Sequence, residues 1–134
     1  MIDQEIFAAD VKADRFPFPS QGNISLAVRS ANYTLGPVVL HLAMEPGSSI
    51  PAHIHEGVAE VLYIVEGDFI NEGKAYAAGD SLHIKAGQVH GPHATKNGCK
   101  LMVLWSERSE NATPNLGDFV LPETKTFPEN KAAA

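Results

Sequence analysis

An all-β sandwich or barrel is the fold class this sequence predicts, and three observations predict it. Between about residue 23 and residue 106 the chain is a series of short runs rich in Val, Ile, Leu and Tyr, several alternating with the period of two that gives a sheet one buried face. Turn signals built on Gly, Pro and Asn separate those runs. No stretch carries the apolar spacing of a convincing amphipathic helix, so the buried faces have only other sheets to pack against.

Taken in order, the first twenty or so residues are mixed. Phe16-Pro17-Phe18-Pro19 is not regular helix, because each Pro lacks an amide donor and constrains the residue before it. It is expected to lie extended against the barrel or a partner subunit. The clearest strands are Ile24 to Val28, Val38 to Met44, Val61 to Val65, Leu82 to Ile84 and Lys100 to Trp105. Between them stand turn signals such as Glu66-Gly67-Asp68, Asn71-Glu72-Gly73 and Ala78-Gly79-Asp80. After Ser106 the chain carries Pro114, Pro122 and Pro128. Leu116, Phe119, Val120 and Leu121 are expected to dock as one strand, with the rest a partly mobile tail. The length fits a single domain, residues 1–134, with its core at about 23–106.

Composition excludes several classes of function. Ten basic residues against sixteen acidic ones give a formal charge of −6 with no basic block, which disfavours nucleic acid and anionic membrane surfaces as partners. Cys99 is the only cysteine, so an intrachain disulfide is impossible. The acidic N-terminus lacks the apolar stretch of a signal peptide, and the longest apolar run, Leu101 to Trp105, is too short to span a bilayer. A cytoplasmic location is expected.

The chemistry concentrates in the histidines. Five of the six fall between residues 53 and 93, with His41 upstream. On a strand, residues two apart share a face, so His53 and His55 present both imidazoles to one side. Glu60 returns after a Gly-containing loop, and His90 and His93 follow on a separate hairpin. Imidazoles and a carboxylate converging from neighbouring strands suit a first-row transition metal, and the lack of a second cysteine argues against a thiolate-rich zinc site. His93 reads either as a proton-transfer or substrate-orienting group or as a plain loop histidine. His83 alternates with Leu82 and Ile84 and is expected to point away from them as a non-ligand. His41 reads as a hydrogen-bonded core histidine, with cavity lining as the other possibility. Glu56 reads as a solvated loop charge, and Cys99 as a small buried residue. Tyr63, Phe69, Met102 and Trp105 are expected to pack the barrel.

Two motifs resemble those of the cupin superfamily. Its first motif, G-x5-H-x-H-x(3 or 4)-E-x6-G, is matched at every fixed position by Gly47, His53, His55, Glu60 and Gly67. Its second, G-x5-P-x-G-x2-H-x3-N, is matched by Gly79, Gly87 and His90, while Lys85 replaces the proline and Ala94 the asparagine. The resemblance implies a conical jelly-roll barrel whose mouth holds one divalent metal ion on His53, His55, Glu60 and His90. Iron, manganese, nickel, copper and zinc all suit that donor set. Val65-Glu66-Gly67-Asp68-Phe69, His90-Gly91-Pro92 and Gly98-Cys99 are also similar to the cupin domain of zinc-binding anti-sigma factors, a group that includes acetylacetone and dihydroxyacetophenone dioxygenases. Acetylacetone dioxygenases use three histidines and lack the glutamate, so Glu60 is a departure from them.

These likenesses imply a metal-dependent enzyme, first a dioxygenase acting on an enolisable carbonyl or phenolic small molecule, with His93 or Glu60 moving the proton. The alternatives are Lewis-acid isomerase, lyase or cyclase chemistry, or a barrel that binds metal or ligand without turnover. A homodimer is expected, because open sheet edges need covering.

Overall fold

The structure, a computed structural model, describes residues 13–28, 37–106 and 119–122. It is all-β, and among the described residues there is no α-helix. The strands are β1 (Asp14–Arg15), β2 (Ile24–Val28), β3 (Val38–Met44), β4 (Ser49–Ile50), β5 (His53–Ile54), β6 (Glu60–Asn71), β7 (Lys74–Ala77), β8 (Ser81–Ile84), β9 (Val89–His90), β10 (His93–Ala94) and β11 (Cys99–Trp105). They pair antiparallel into a curled sheet of order β1-β2-β3-β11-β6-β10-β4, with β7 and β8 also on β6, and a separate two-stranded ribbon β5-β9. This is a jelly-roll half-barrel.

The long strand β6 makes the curl. Its first residues pair with β8 and β11, and its last four pair with β7 and β10, so one strand passes from one wall to the other. The expected turn at Glu66-Gly67-Asp68 is instead a bend inside this strand, where the register with β11 shifts between Lys100 and Leu101. Gly67 permits it. Its φ is 84°, and a Cβ there would lie 2.0 Å from the Gly98 carbonyl oxygen. The turn at Asn71-Glu72-Gly73 does form: Glu72 and Gly73 both take positive φ and close the β6–β7 hairpin.

Alternation assigns the faces. On β11, Cys99, Leu101, Val103 and Trp105 are buried, while Lys100, Met102 and Leu104 face out. On β3 the inward set is Val38, Leu40, Leu42 and Met44. Phe69 and Trp105 pack the interior as expected. Tyr63 and Met102 do not: they are paired across β6 and β11 on the outer face, 45% and 43% exposed. His41 shares the outward parity of β3 and is only half-buried, outside the hydrophobic core. Full burial of each large aliphatic side chain contributes roughly 1.5–3 kcal/mol, so the fully enclosed Ile64 and Leu101 are principal anchors.

Two segments outside the barrel strands lie on its mouth. The Phe16 amide donates to the Ile24 carbonyl at 2.9 Å, seating the Phe16–Pro19 stretch against the barrel. Val120 exchanges both backbone hydrogen bonds with Ile54, at 2.8 and 2.9 Å, so among the described residues the tail meets the barrel through one bridge. Leu116 and the rest of the tail lie outside the described residues, as does the acidic N-terminus. No helix among the described residues is long and apolar enough to cross a membrane.

Candidate metal centre

The ribbon β5-β9 sets His53 directly opposite His90, and their ring centroids are 4.1 Å apart. His55 follows two residues after His53, its ring 4.9 Å from His53 and 5.1 Å from His90. All three are buried, and one ring nitrogen from each lies within 4.8 Å of the others, a spacing that can hold a metal ion. Glu60, the first residue of β6, sits against two of them. Its Oε2 is 3.3 Å from His55 Nε2 and its Oε1 is 3.1 Å from His90 Nε2. Trp105 stands opposite Glu60 in the β6–β11 register and donates its indole N–H to Oε2 at 2.7 Å.

Backbone carbonyls orient the rings. His53 Nδ1 lies 2.8 Å from the Pro51 carbonyl and His90 Nδ1 3.4 Å from that of Gln88. A ring that donates through Nδ1–H keeps its lone pair on Nε2, the nitrogen that faces the cluster. Glu60 Oε1, His90 Nε2 and His93 Nδ1 are buried without a hydrogen-bond partner. Glu60 Oε1 and His90 Nε2 are close enough to touch but are not aligned as donor and acceptor. A buried polar atom left unpaired costs about 1–3 kcal/mol, so several together in a fold need a reason. Lone pairs converging on a common cation supply one, and nitrogen with carboxylate oxygen is a fitting donor set for a first-row divalent ion.

The electrostatics agree with that chemistry. Burial, reinforced by His90, pushes the His53 imidazole down to about 3 against the opposing pull of the Pro51 carbonyl, so the ring is neutral near pH 7. Burial and then His90 likewise hold His93 at about 3. For Glu60, burial alone would raise the carboxyl, but His55 and His90 outweigh it and hold it well below the usual carboxylate range. A neutral His53 imidazole and an ionised Glu60 carboxylate are ligating forms.

His93, on β10, is not a loop histidine. It is buried, with its ring 5.1 Å from His90 and 4.9 Å from Phe69, and it lines the same cavity as His53, His55 and Glu60. His83 is exposed on the outer face, and Glu56 is exposed beside the cluster. Cys99 is buried, and burial pushes its thiol up to about 11, the state of an inert core residue. Sequence reasoning missed Trp105 as a partner of Glu60. The signal was its inward parity with Leu101 and Val103. Missed too was the role of Phe16, Phe18 and Phe119, which with the inward faces of β2, β3, β6 and β11 line a cavity open at its mouth.

An antiparallel jelly roll with imidazoles and a carboxylate gathered at its mouth defines the cupin class. The chain belongs to that family: residues 40–107 match the cupin domain model. Solved structures agree on the fold. A putative acetylacetone dioxygenase from Methylibium petroleiphilum superposes with a TM-score of 0.68 at 18% identity, covering 85% of this chain and 87% of that one. The polyketide cyclase RemF from Streptomyces resistomycificus gives 0.63 at 20% identity, covering 98% of both chains. The Rhodobacter sphaeroides complex of SigE with the anti-sigma ChrR gives 0.59 at 21% identity, covering 75% of this chain and 52% of that one. At these identities the likeness establishes architecture. Comparison with curated proteins found no match.

Proposed function

We propose that this chain is a metal-dependent small-molecule enzyme whose single divalent ion is held by His53, His55, His90 and Glu60. The observation that carries the reading is the buried convergence of these four side chains, with the facing atoms of His90 and Glu60 left without hydrogen bonds. A first-row ion held there supplies Lewis acidity and, where the ion is redox-active, a route for electrons to dioxygen. The chain supplies the rest. The apolar barrel wall excludes water, which strengthens every electrostatic contact inside it. Trp105 fixes one Glu60 oxygen and leaves the other directed at the histidines. His93, with Nδ1 unpartnered on the cavity, is placed to accept or orient a substrate proton, and Glu60 Oε1 is the second such atom.

The reaction class this supports is dioxygen-dependent oxidation of a small enolisable carbonyl or phenolic compound. The fold shared with a putative acetylacetone dioxygenase is consistent with it. The fold shared with a polyketide cyclase keeps Lewis-acid cyclisation as the second reading, since the same donors serve an ion that changes no oxidation state. The proposal includes a cytoplasmic homodimer. The apolar outer face carrying Tyr63, Val65, Met102 and Leu104 supports the pairing, because exposed apolar patches mark contact surfaces.

The test is metal content per chain by mass spectrometry for wild type and His53→Ala, followed by oxygen uptake with a panel of β-diketones and catechols. Near-stoichiometric iron, manganese, nickel or copper that falls to background in the variant, with oxygen consumed, is the expected result. Bound metal with no oxygen uptake but with substrate rearranged selects the second reading. No metal in either protein after reconstitution overturns both.

A further inference from the structure

We infer that the cavity selects a one-ring ligand whose oxygen donors carry at most one negative charge, and that Phe119 sets this preference. The inference rests on the metal-centre reading above and specifies what that centre takes. Charge is the first argument. A divalent ion with neutral imidazoles and one carboxylate keeps a single net positive charge, and among the described residues no Lys or Arg lines the cavity. A second negative charge would be buried without a counter-charge, which low-dielectric surroundings penalise severely.

Hydrogen bonding is the second argument. Among the described residues, every side chain lining the cavity apart from His53, His55, Glu60 and His93 is hydrocarbon or aromatic, and the Trp105 N–H is already taken by Glu60. His93 Nδ1 can satisfy one further polar atom of a ligand. Each additional hydroxyl would enter without a partner, weakening binding about tenfold. Polyols and sugar acids are therefore disfavoured.

The wall adds a preference of shape. Phe119 lies nearly parallel to both its neighbours, 4.1 Å from the His53 ring at 17° and 4.5 Å from Phe18 at 5°. Phe16 meets Phe18 edge-on at 5.3 Å. The stack is anchored, because Val120 is paired to Ile54 by two backbone hydrogen bonds and Phe16 is tied to Ile24. Beyond the histidines, Phe69 tilts toward His93 at 4.9 Å. Aromatic faces and edges thus border the donor group, and such surfaces favour a ring over an open chain of the same polarity.

The test uses protein reconstituted with Zn(II), with metal content measured in every sample. Calorimetric affinities for tropolone, kojic acid and oxalate are each divided by that ligand's affinity for the free ion. On this scale tropolone should exceed kojic acid by about tenfold, reflecting the latter's extra hydroxyl, and should exceed oxalate by more. Phe119→Leu should weaken tropolone about fivefold with metal content unchanged, and Phe18→Leu should weaken it less. Oxalate or kojic acid binding as well as tropolone overturns the inference, and so does a folded, metal-loaded Phe119→Leu that binds tropolone normally. A wild-type chain that takes up no metal breaks the proposed function instead. The cavity is then probed with phenol by saturation-transfer NMR: a signal weakened in Phe119→Leu upholds the ring preference, and no signal ends it.

Discussion

Strand β6 carries three carboxylates, and the chain treats two of them, Asp68 and Glu60, differently. Asp68, half-buried past the bend, accepts backbone N–H groups from Lys96 and Asn97, both at 2.8 Å, while Thr95 Oγ1 donates to its carbonyl at 2.7 Å and itself accepts from Gly98 at 2.9 Å. Glu60, buried at the start of the strand, has one oxygen fixed by Trp105, and its other atom faces histidine nitrogen without a hydrogen bond. Both are held below their ordinary acidity range, Asp68 first by the Lys96 amide and Glu60 by the imidazoles of His55 and His90 against the cost of burial. Where the chain needs only to hold a shape, its polar atoms are paired with backbone. At the Glu60 end, lone pairs are left converging in a spacing that can hold a metal ion.

The largest effect should come from the bend between the two. Gly67→Ala combines a positive φ with a Cβ driven into the Gly98 carbonyl, and backbone cannot yield as a side-chain tip does. A loss of more than about 3 kcal/mol is expected in urea unfolding. A near-neutral result would mean that the Asp68 end is pliable, and the contrast with the Glu60 end would weaken.

Trp105→Phe tests the other end. It removes the indole hydrogen bond to Glu60 Oε2 while keeping an aromatic ring, leaving that buried oxygen with His55 Nε2, 3.3 Å away, beside it. The expected cost is about 1–3 kcal/mol of stability without metal. Metal affinity, read by chelator competition, should fall roughly 10–100-fold, as it does when groups that orient ligands are lost. Unchanged affinity would show that Glu60 needs no such support.

Asp68→Ala should cost about 1–2 kcal/mol at pH 7, from two lost backbone hydrogen bonds at a half-buried, solvent-screened site. Its pH dependence has a definite sign. The folded acidity constant lies below the unfolded one, so the contribution is complete above about pH 4 and disappears as pH falls through the folded value. The gap between wild type and variant should therefore close on acidification, and at pH 7 the two proteins should carry equal metal.

The same contrast explains what the sequence made legible. The His53-x-His55 spacing, Glu60 and His90 were readable because a converging donor set demands fixed residues at fixed offsets. β2 and β3 were readable to the residue, since five- and seven-residue runs show their alternation. The two-residue strands β1, β4, β5, β9 and β10 have no period to detect. Tyr63 and Met102 were misplaced because apolar character was allowed to outvote parity. Lys100, two residues before Met102 on β11, marks the solvent face, and Glu60 fixes the inward parity of β6 up to its bend. The bend itself read as a turn because Gly67-Asp68 has turn composition, and only the opposing Gly98 carbonyl shows why a strand continues through it. His93 was ambiguous because burial is set by β4 and β6, its pairing neighbours, rather than by its own surroundings in the chain.

The smallest effect should belong to His83. It lies on β8 opposite Val61, exposed on the outer face, while Glu60 one residue away is buried among the histidines. One step along a strand reverses the face, so a histidine this close to the cluster in sequence register has no access to it. His83→Ala should change stability by no more than about 0.5 kcal/mol and leave metal content at the wild-type level. His90→Ala, measured beside it, should lose the metal. If both variants lost metal alike, then histidine content rather than buried convergence would govern binding, and the distinction between the paired and unpaired ends of β6 would carry no functional meaning.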